Sequence, residues 1–214
     1  FEDGFPGFEP AMLQNRFEAA LPETDVVVLS DYQKGALREV EHYIRTARAA
    51  GRPVLVDPKG CDFARYRGAT LLTPNLAEFE AVVGCCRDEA ELVGKGEALR
   101  RDLALEALLI TRGEHGMSLL QTSAEPLHLA ARAREVYDVT GAGDTVIATL
   151  AAGLAAGLEL ASATLLANLA AGIVVGKLGA AGVTVSELRR AVYEHDEPPR
   201  GILDEAQLLL AIAD

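Results

Sequence analysis

Asp25-Val-Val-Val-Leu-Ser-Asp31 is a continuous apolar run closed by polar residues, the pattern of a strand buried on both faces. From Leu37 to Ala50 the period becomes helical, placing Val40, Tyr43, Ile44 and Ala47 on one side, and Gly51 closes the segment. Pro53–Asp57, Ala69–Thr73 and Ala107–Thr111 read as further strands. Leu76–Val83 reads as a helix ended by Gly84, and Asp88–Asp102 as a charged, solvated one. Gly116–Gln121 and Leu127–Ala130 predict two antiparallel strands. Val146–Gly176 is apolar nearly all round but carries Glu159, Asn168 and several glycines, which fits two buried helices better than a membrane span. A short helix near Met12–Ala20 follows a Gly/Pro-rich lead. Another covers Ser186–Tyr193, residues 194–201 form a linker, and an amphipathic helix closes the chain at Asp204–Ala213. Strands alternating with helices predict an α/β fold with a mostly parallel central sheet flanked by helices.

In such folds ligands gather at the carboxyl ends of the strands. Polar residues stand at those ends here: Ser30 and Asp31, Asp57 and Lys59, Thr73 and Asn75, Thr111 and Arg112, Asp138 and Asp144. Around the last pair, Glu135-Val-Tyr-Asp-Val-Thr-Gly-Ala-Gly-Asp-Thr145 reads as a strand ending at Asp138, a glycine turn, and a helix opening near Asp144. Glycines let backbone N–H groups approach a ligand closely, and a helix N-terminus favours an anion. A carboxylate opposes a phosphate there unless it takes the proton from the attacking group, which points to phosphoryl transfer with Asp144 as general base. Taken alone, G-x-G-D is also an ordinary turn with Asp144 as N-cap; the converging strand ends carry the reading past that. A dinucleotide fingerprint fails because Val146 stands where the third glycine belongs. A Walker A loop fails because Gly96 follows Lys95 and Leu178 follows Lys177.

Charge narrows the partners. The 214 residues carry a formal net charge of −12, which argues against nucleic acid or an anionic membrane as partner. An anionic substrate then needs a local basic or backbone-amide site and a divalent metal. Cys61, Cys85 and Cys86 form no C-x-x-C pattern and leave an odd count, so free thiols in a cytoplasmic protein are expected. The four histidines show no ligand spacing.

Four segments together carry a specific resemblance: Leu29-Ser-Asp-Tyr-Gln-Lys-Gly35, Val56-Asp-Pro-Lys-Gly60, Leu72-Thr-Pro-Asn-Leu-Ala-Glu-Phe-Glu80 and the 135–145 stretch. With these the chain resembles the ribokinase (phosphofructokinase B) superfamily, and within it the heptose-7-phosphate kinases of lipopolysaccharide-core synthesis. The resemblance implies an ATP- and Mg²⁺-dependent kinase acting on the anomeric hydroxyl of D-glycero-D-manno-heptose 7-phosphate. It implies Asp144 as base and the N–H groups of Gly141, Ala142 and Gly143 as anion hole. Asn75 and Glu78 match an Asn-x-x-Glu element that organises Mg²⁺ through water; their plainer reading is a helix start. Thr111, Arg112, Gly113 and Gly116 resemble a nucleotide-binding strand end and turn. Asn168 matches a residue facing adenosine, or else is a satisfied core amide. Asp138 and Thr140 align with positions that hold a monovalent cation, K⁺, in some relatives.

Asp31, Lys34, Asp57 and Lys59 are the substrate candidates, since Lys34 and Lys59 are scarce basic groups at strand ends; surface ion pairs with neighbouring carboxylates account for them almost as well. The resemblance further implies that residues 1–193 are the C-terminal portion of a kinase domain whose N-terminal strands and lid are missing, with 194–214 as linker and terminal helix. The expected partners are a small sugar phosphate and a second copy, a homo-oligomer joined at the strand near Val26–Leu29. A fructose-phosphate or nucleoside kinase of the same superfamily, and a non-catalytic nucleotide-binding fragment, stay open as alternatives.

Overall fold

The computed structural model describes residues 10–132, 138–179 and 181–196. Within them six strands form one sheet in chain order: β1 (Val27–Ser30), β2 (Val54–Asp57), β3 (Leu71–Leu72), β4 (Ala107–Thr111), β5 (Met117–Gln121) and β6 (Leu127–Leu129). β1 to β4 pair in parallel, and β5 and β6 return antiparallel, as the sequence predicts. The helices are α1 (Pro10–Ala20), α2 (Val40–Ala49), α3 (Leu76–Val83), α4 (Glu89–Asp102), α5 (Ala142–Ala155), α6 (Leu160–Val175) and α7 (Val185–Asp196).

Successive strand residues point to opposite layers. Val54, Val56, Leu72, Leu108 and Ile110 pack against Val40, Ile44, Phe79, Leu92 and Leu99 of α2, α3 and α4. Leu55, Leu71, Ala107 and Leu109 pack against Val146, Ile147, Leu150 and Ala167 of α5 and α6. Both faces are therefore covered, which is why the strand sequences are continuously apolar rather than alternating. Val40, Tyr43, Ile44 and Ala47 are all buried, as the helical period requires, and each large side chain among them contributes about 1.5–3 kcal/mol.

Several expectations change. α4 is charged but not solvated all round: it buries Leu92, Gly96 and Leu99, and Gly96 has no room for a side chain beside Leu120. Its Arg100 is buried too, donating to the Leu105 carbonyl at 3.0 Å and to Thr122 Oγ1 at 2.8 Å. β3 covers only two residues, although the flanking Thr70 and Thr73 N–H groups still bond the Val54 and Val56 carbonyls at 2.9 Å. The polar stretch after β2 hides a 3₁₀ turn, Phe63–Tyr66, whose two aromatic rings are fully buried. α7 runs to Asp196, three residues into the expected linker. The expected helix at Asp204–Ala213 and the strand leading into Asp138 lie outside the described residues. Among those described, no helix is long and apolar enough to cross a membrane.

Candidate active site

α5 begins two residues earlier than its sequence pattern predicts. Gly141 is the N-cap with φ of 79°, a left-handed conformation that glycine adopts without strain. Asp144 is therefore the third residue of the helix and not its cap. Thr145 turns back to the Gly141 carbonyl with both its N–H and its hydroxyl, each at 2.9 Å. No side chain caps this end, so the N–H groups of Gly143 and Asp144 are left for solvent or a ligand. A Cβ placed on Gly141 or Gly143 would meet nothing within 4 Å; the space over the helix end is open.

Across the sheet ends, Tyr32 reaches this helix. Its hydroxyl donates to Asp144 Oδ1 at 3.0 Å, linking residues 112 positions apart. Asp57, paired with Ser30 in the β1–β2 register, closes β2 beside them. Burial pushes the Asp57 carboxyl up to about 6, the negative charges of Glu78 and Asp144 add to the effect, and Lys59 partly offsets it. Lys59 Nζ pairs with Glu78 Oε1 at 2.9 Å. Ser30 Oγ is near enough to Asp57 to stabilise its charge, yet it makes no hydrogen bond of good geometry. Glu78, Asp144 and Lys59 thus all stand close enough to Asp57 to act on its charge, and together they form a floor at these strand ends.

Asn75 and Glu78 start α3 as a reciprocal capping box: Asn75 Oδ1 accepts the Glu78 N–H at 2.9 Å, and Glu78 accepts the Asn75 N–H at 3.1 Å. The plainer reading of that pair is thus realised, and Glu78 still turns its other oxygen to Lys59. Asn75 lies beside Thr111 in a parallel bridge, so the floor continues to the end of β4. There Arg112 and Gly116 close the β4–β5 turn through a 2.7 Å backbone bond, and Gly113 opens the 3₁₀ turn between them. The Arg112 guanidinium is engaged by Glu89 at 3.0 Å and by the His115 carbonyl at 3.2 Å. Asn168 is buried on α6 and donates to the Ala130 carbonyl at 2.9 Å, beside a cavity of about 170 Å³ lined by His128, Arg132 and Leu165.

The remaining candidates are placed differently from one another. Asp31 is buried and its carboxylate is consumed inside the fold: Tyr66 donates at 2.8 Å, the Gln33 N–H at 2.8 Å, and Arg65 stands 3.7 Å away. Lys34 is exposed, 6.0 Å from the centre of the Tyr32 ring. Asp138 accepts the Thr140 N–H at 2.8 Å, and bonds from the Thr140 hydroxyl and N–H hold its carboxyl below the usual range. The structure therefore gathers Asp144, Asp57, Lys59, Glu78 and Asn75, and sets Asp31 apart as a support. Tyr32 is the residue that sequence reasoning missed; only its place in the Ser-Asp-Tyr segment hinted at it.

Among the described residues no three His, Cys, Asp or Glu side chains stand close enough to hold a metal by themselves. A divalent cation at this floor then requires phosphate and water among its ligands, which is the habit of Mg²⁺.

The model of the pfkB family carbohydrate kinases matches residues 8–186. The bifunctional protein HldE of Methylococcus capsulatus is 64% identical over 209 residues, covering 98% of this chain and 44% of that protein. The chain thus spans less than half the length of the curated relative it matches. Arabidopsis thaliana ribokinase, solved with ribose and ATP, superimposes with a TM-score of 0.75 at 21% identity, over 83% of this chain and 59% of that one. Escherichia coli phosphofructokinase-2 in complex with potassium gives 0.69 at 15% identity, over 84% and 61%. The fold is ribokinase-like, and the chain belongs to the pfkB family of carbohydrate kinases.

Proposed function

We propose that this chain carries the phosphoryl-transfer half of a sugar kinase that phosphorylates the anomeric hydroxyl of D-glycero-D-manno-heptose 7-phosphate with ATP. The observation that carries the reading is Asp144 in the first turn of an uncapped, glycine-led helix, facing a floor of carboxylates and one lysine. Asp144 accepts the proton of the sugar hydroxyl as that oxygen bonds to the γ-phosphorus. The bridging β–γ oxygen bond breaks in the same displacement, and the leaving ADP keeps the electron pair. The N–H groups of Gly143 and Asp144, with Gly141 and Ala142 shaping the turn, meet the negative charge of the transferring group.

The donor set fits a hard divalent cation. Asp57 and Glu78 offer oxygens, and the charge that pushes the Asp57 carboxyl up also repels a bare triphosphate. Mg²⁺ supplies charge neutralisation there; Lys59 adds the one protein cation of the floor. The Thr111–Gly116 turn and the cavity at Asn168 are assigned to the nucleotide, with Asn168 fixing the cavity wall. Lys34 is assigned to the remote sugar phosphate. Asp138 and Thr140 are assigned to a monovalent cation, in keeping with the relative solved with potassium. β1 is an edge of the described sheet with Val28 40% exposed, and such edges recruit other chains, so self-association through it belongs to the reading.

The test is incubation of the full-length protein that carries these residues with ATP, Mg²⁺ and heptose 7-phosphate, followed by phosphorus NMR. A new anomeric phosphate and stoichiometric ADP support the proposal. Preference for fructose 6-phosphate or a nucleoside would reassign the substrate, and nucleotide binding without transfer would leave a binding module instead.

A further inference from the structure

We infer that Tyr32 is a positioning residue for the general base: it holds Asp144 by one carboxylate oxygen and leaves the other free to take the acceptor's proton. The inference rests on the kinase reading above. Its ground is the 3.0 Å bond from the Tyr32 hydroxyl to Asp144 Oδ1 and the way the fold fixes the tyrosine.

Tyr32 stands two residues beyond the end of β1, and both its neighbours in sequence are clamped. Asp31, before it, is buried and tied to Tyr66, Arg65 and the Gln33 N–H. Gln33, after it, sits at φ of 55°, a left-handed conformation uncommon for a residue with a side chain, and its amide donates to the Lys59 carbonyl at 3.1 Å. Backbone of that kind persists only where the surroundings over-determine it. The turn therefore presents Tyr32 outward, 53% exposed, at the mouth of the site. A side chain there without a task gains little from so constrained a backbone.

A carboxylate on the first turn of a helix is free to swing. One charge-assisted bond to Oδ1 selects an orientation for the carboxylate that acts as base. Groups facing this pair are Ser30 at the end of β1, Asp57 at the end of β2, Lys59 just beyond it, and Lys34, 6.0 Å from the Tyr32 ring. The same bond with Asp144 raises the Tyr32 phenol above its ordinary value, so the tyrosine stays a donor at neutral pH.

Two variants test the assignment. In Tyr32→Phe, which keeps the ring, kcat should fall about three- to tenfold while KM for ATP and for the sugar phosphate stays within about twofold. In Asp144→Asn, the Tyr32 phenol, isolated as the ultraviolet titration difference from Asp144→Asn/Tyr32→Phe, should ionise at lower pH than in the parent chain. That readout needs no turnover. A Tyr32→Phe protein with unchanged kcat overturns the assignment. So does one with increased kcat/KM, because the tyrosine would then be standing in the acceptor's place. If Asp144→Asn turns over normally, the kinase reading itself falls and takes this inference with it.

Discussion

Replacing Asp57 by Asn should stabilise the protein at neutral pH and leave it nearly unchanged in acid. The folded environment pushes the Asp57 carboxyl from 3.8 up to about 6, through burial first and then through Glu78 and Asp144. The folded state thus holds the proton more tightly than the unfolded chain. The contribution of Asp57 to stability is greatest below about pH 4, declines as pH rises through 3.8 to 6, and is flat above. At roughly 1.4 kcal/mol per pH unit the interval amounts to about 3 kcal/mol. Asp57 is only half-buried, so solvent and salt screening reduce this to about 1–2 kcal/mol. Asparagine carries no charge and escapes the cost. Urea denaturation at pH 7.5 should therefore show the variant more stable by about 1–2 kcal/mol, with an unchanged m-value, and at pH 4 the two proteins should coincide. Carboxylates that do not interact with Asp57 cancel in the difference. A variant destabilised equally at both pH values would refute the reasoning, because Asp57 would then be a structural hydrogen-bonding group and not a strained charge. In the kinase reading the same charge repels ATP until Mg²⁺ arrives, so the stability gain should come with weakened Mg²⁺–nucleotide binding.

Two glycines give opposite predictions. Gly116→Ala would place a Cβ 1.9 Å from the Leu129 carbonyl at φ of 79°, and should cost about 3–5 kcal/mol in chemical denaturation, because the obstacle is backbone. At Gly143 a Cβ would find nothing within 4 Å outside its own helix turn, so Gly143→Val should fold with a melting temperature within a few degrees of the parent while weakening nucleotide binding and transfer together. Isothermal titration with ATP–Mg²⁺ and a turnover assay read both, and retention of both would make the turn merely structural.

The layers of this fold were legible because each helix and strand carries its own period. α2 shows this most plainly, with its four inward residues predicted and buried, and β4 and α3 match their predicted limits residue for residue. Asn75-x-x-Glu78 was legible as a helix start for the same local reason. What local pattern does not encode was missed. Phe63 and Tyr66 sit in a polar stretch without period, and their burial depends on α2 folding over them. The helix at Gly141 starts early because a glycine can cap it in the left-handed region, which no spacing announces. Asp31 reads as a strand-end carboxylate until Tyr66 and Arg65 are seen to claim it. Tyr32 finds Asp144 across 112 positions, and only the folded sheet brings them together.

The central claim is that Asp144 acts as the base in phosphoryl transfer, and Asp144→Asn tests it most directly. Kinase turnover with heptose 7-phosphate should be measured beside ATP–Mg²⁺ binding on the same preparation. The account predicts kcat lowered by roughly 10²–10⁴ with nucleotide affinity held within a few fold, since the base acts only as the proton leaves. Near-normal kcat in the variant would contradict it and return the helix end to an ordinary glycine turn.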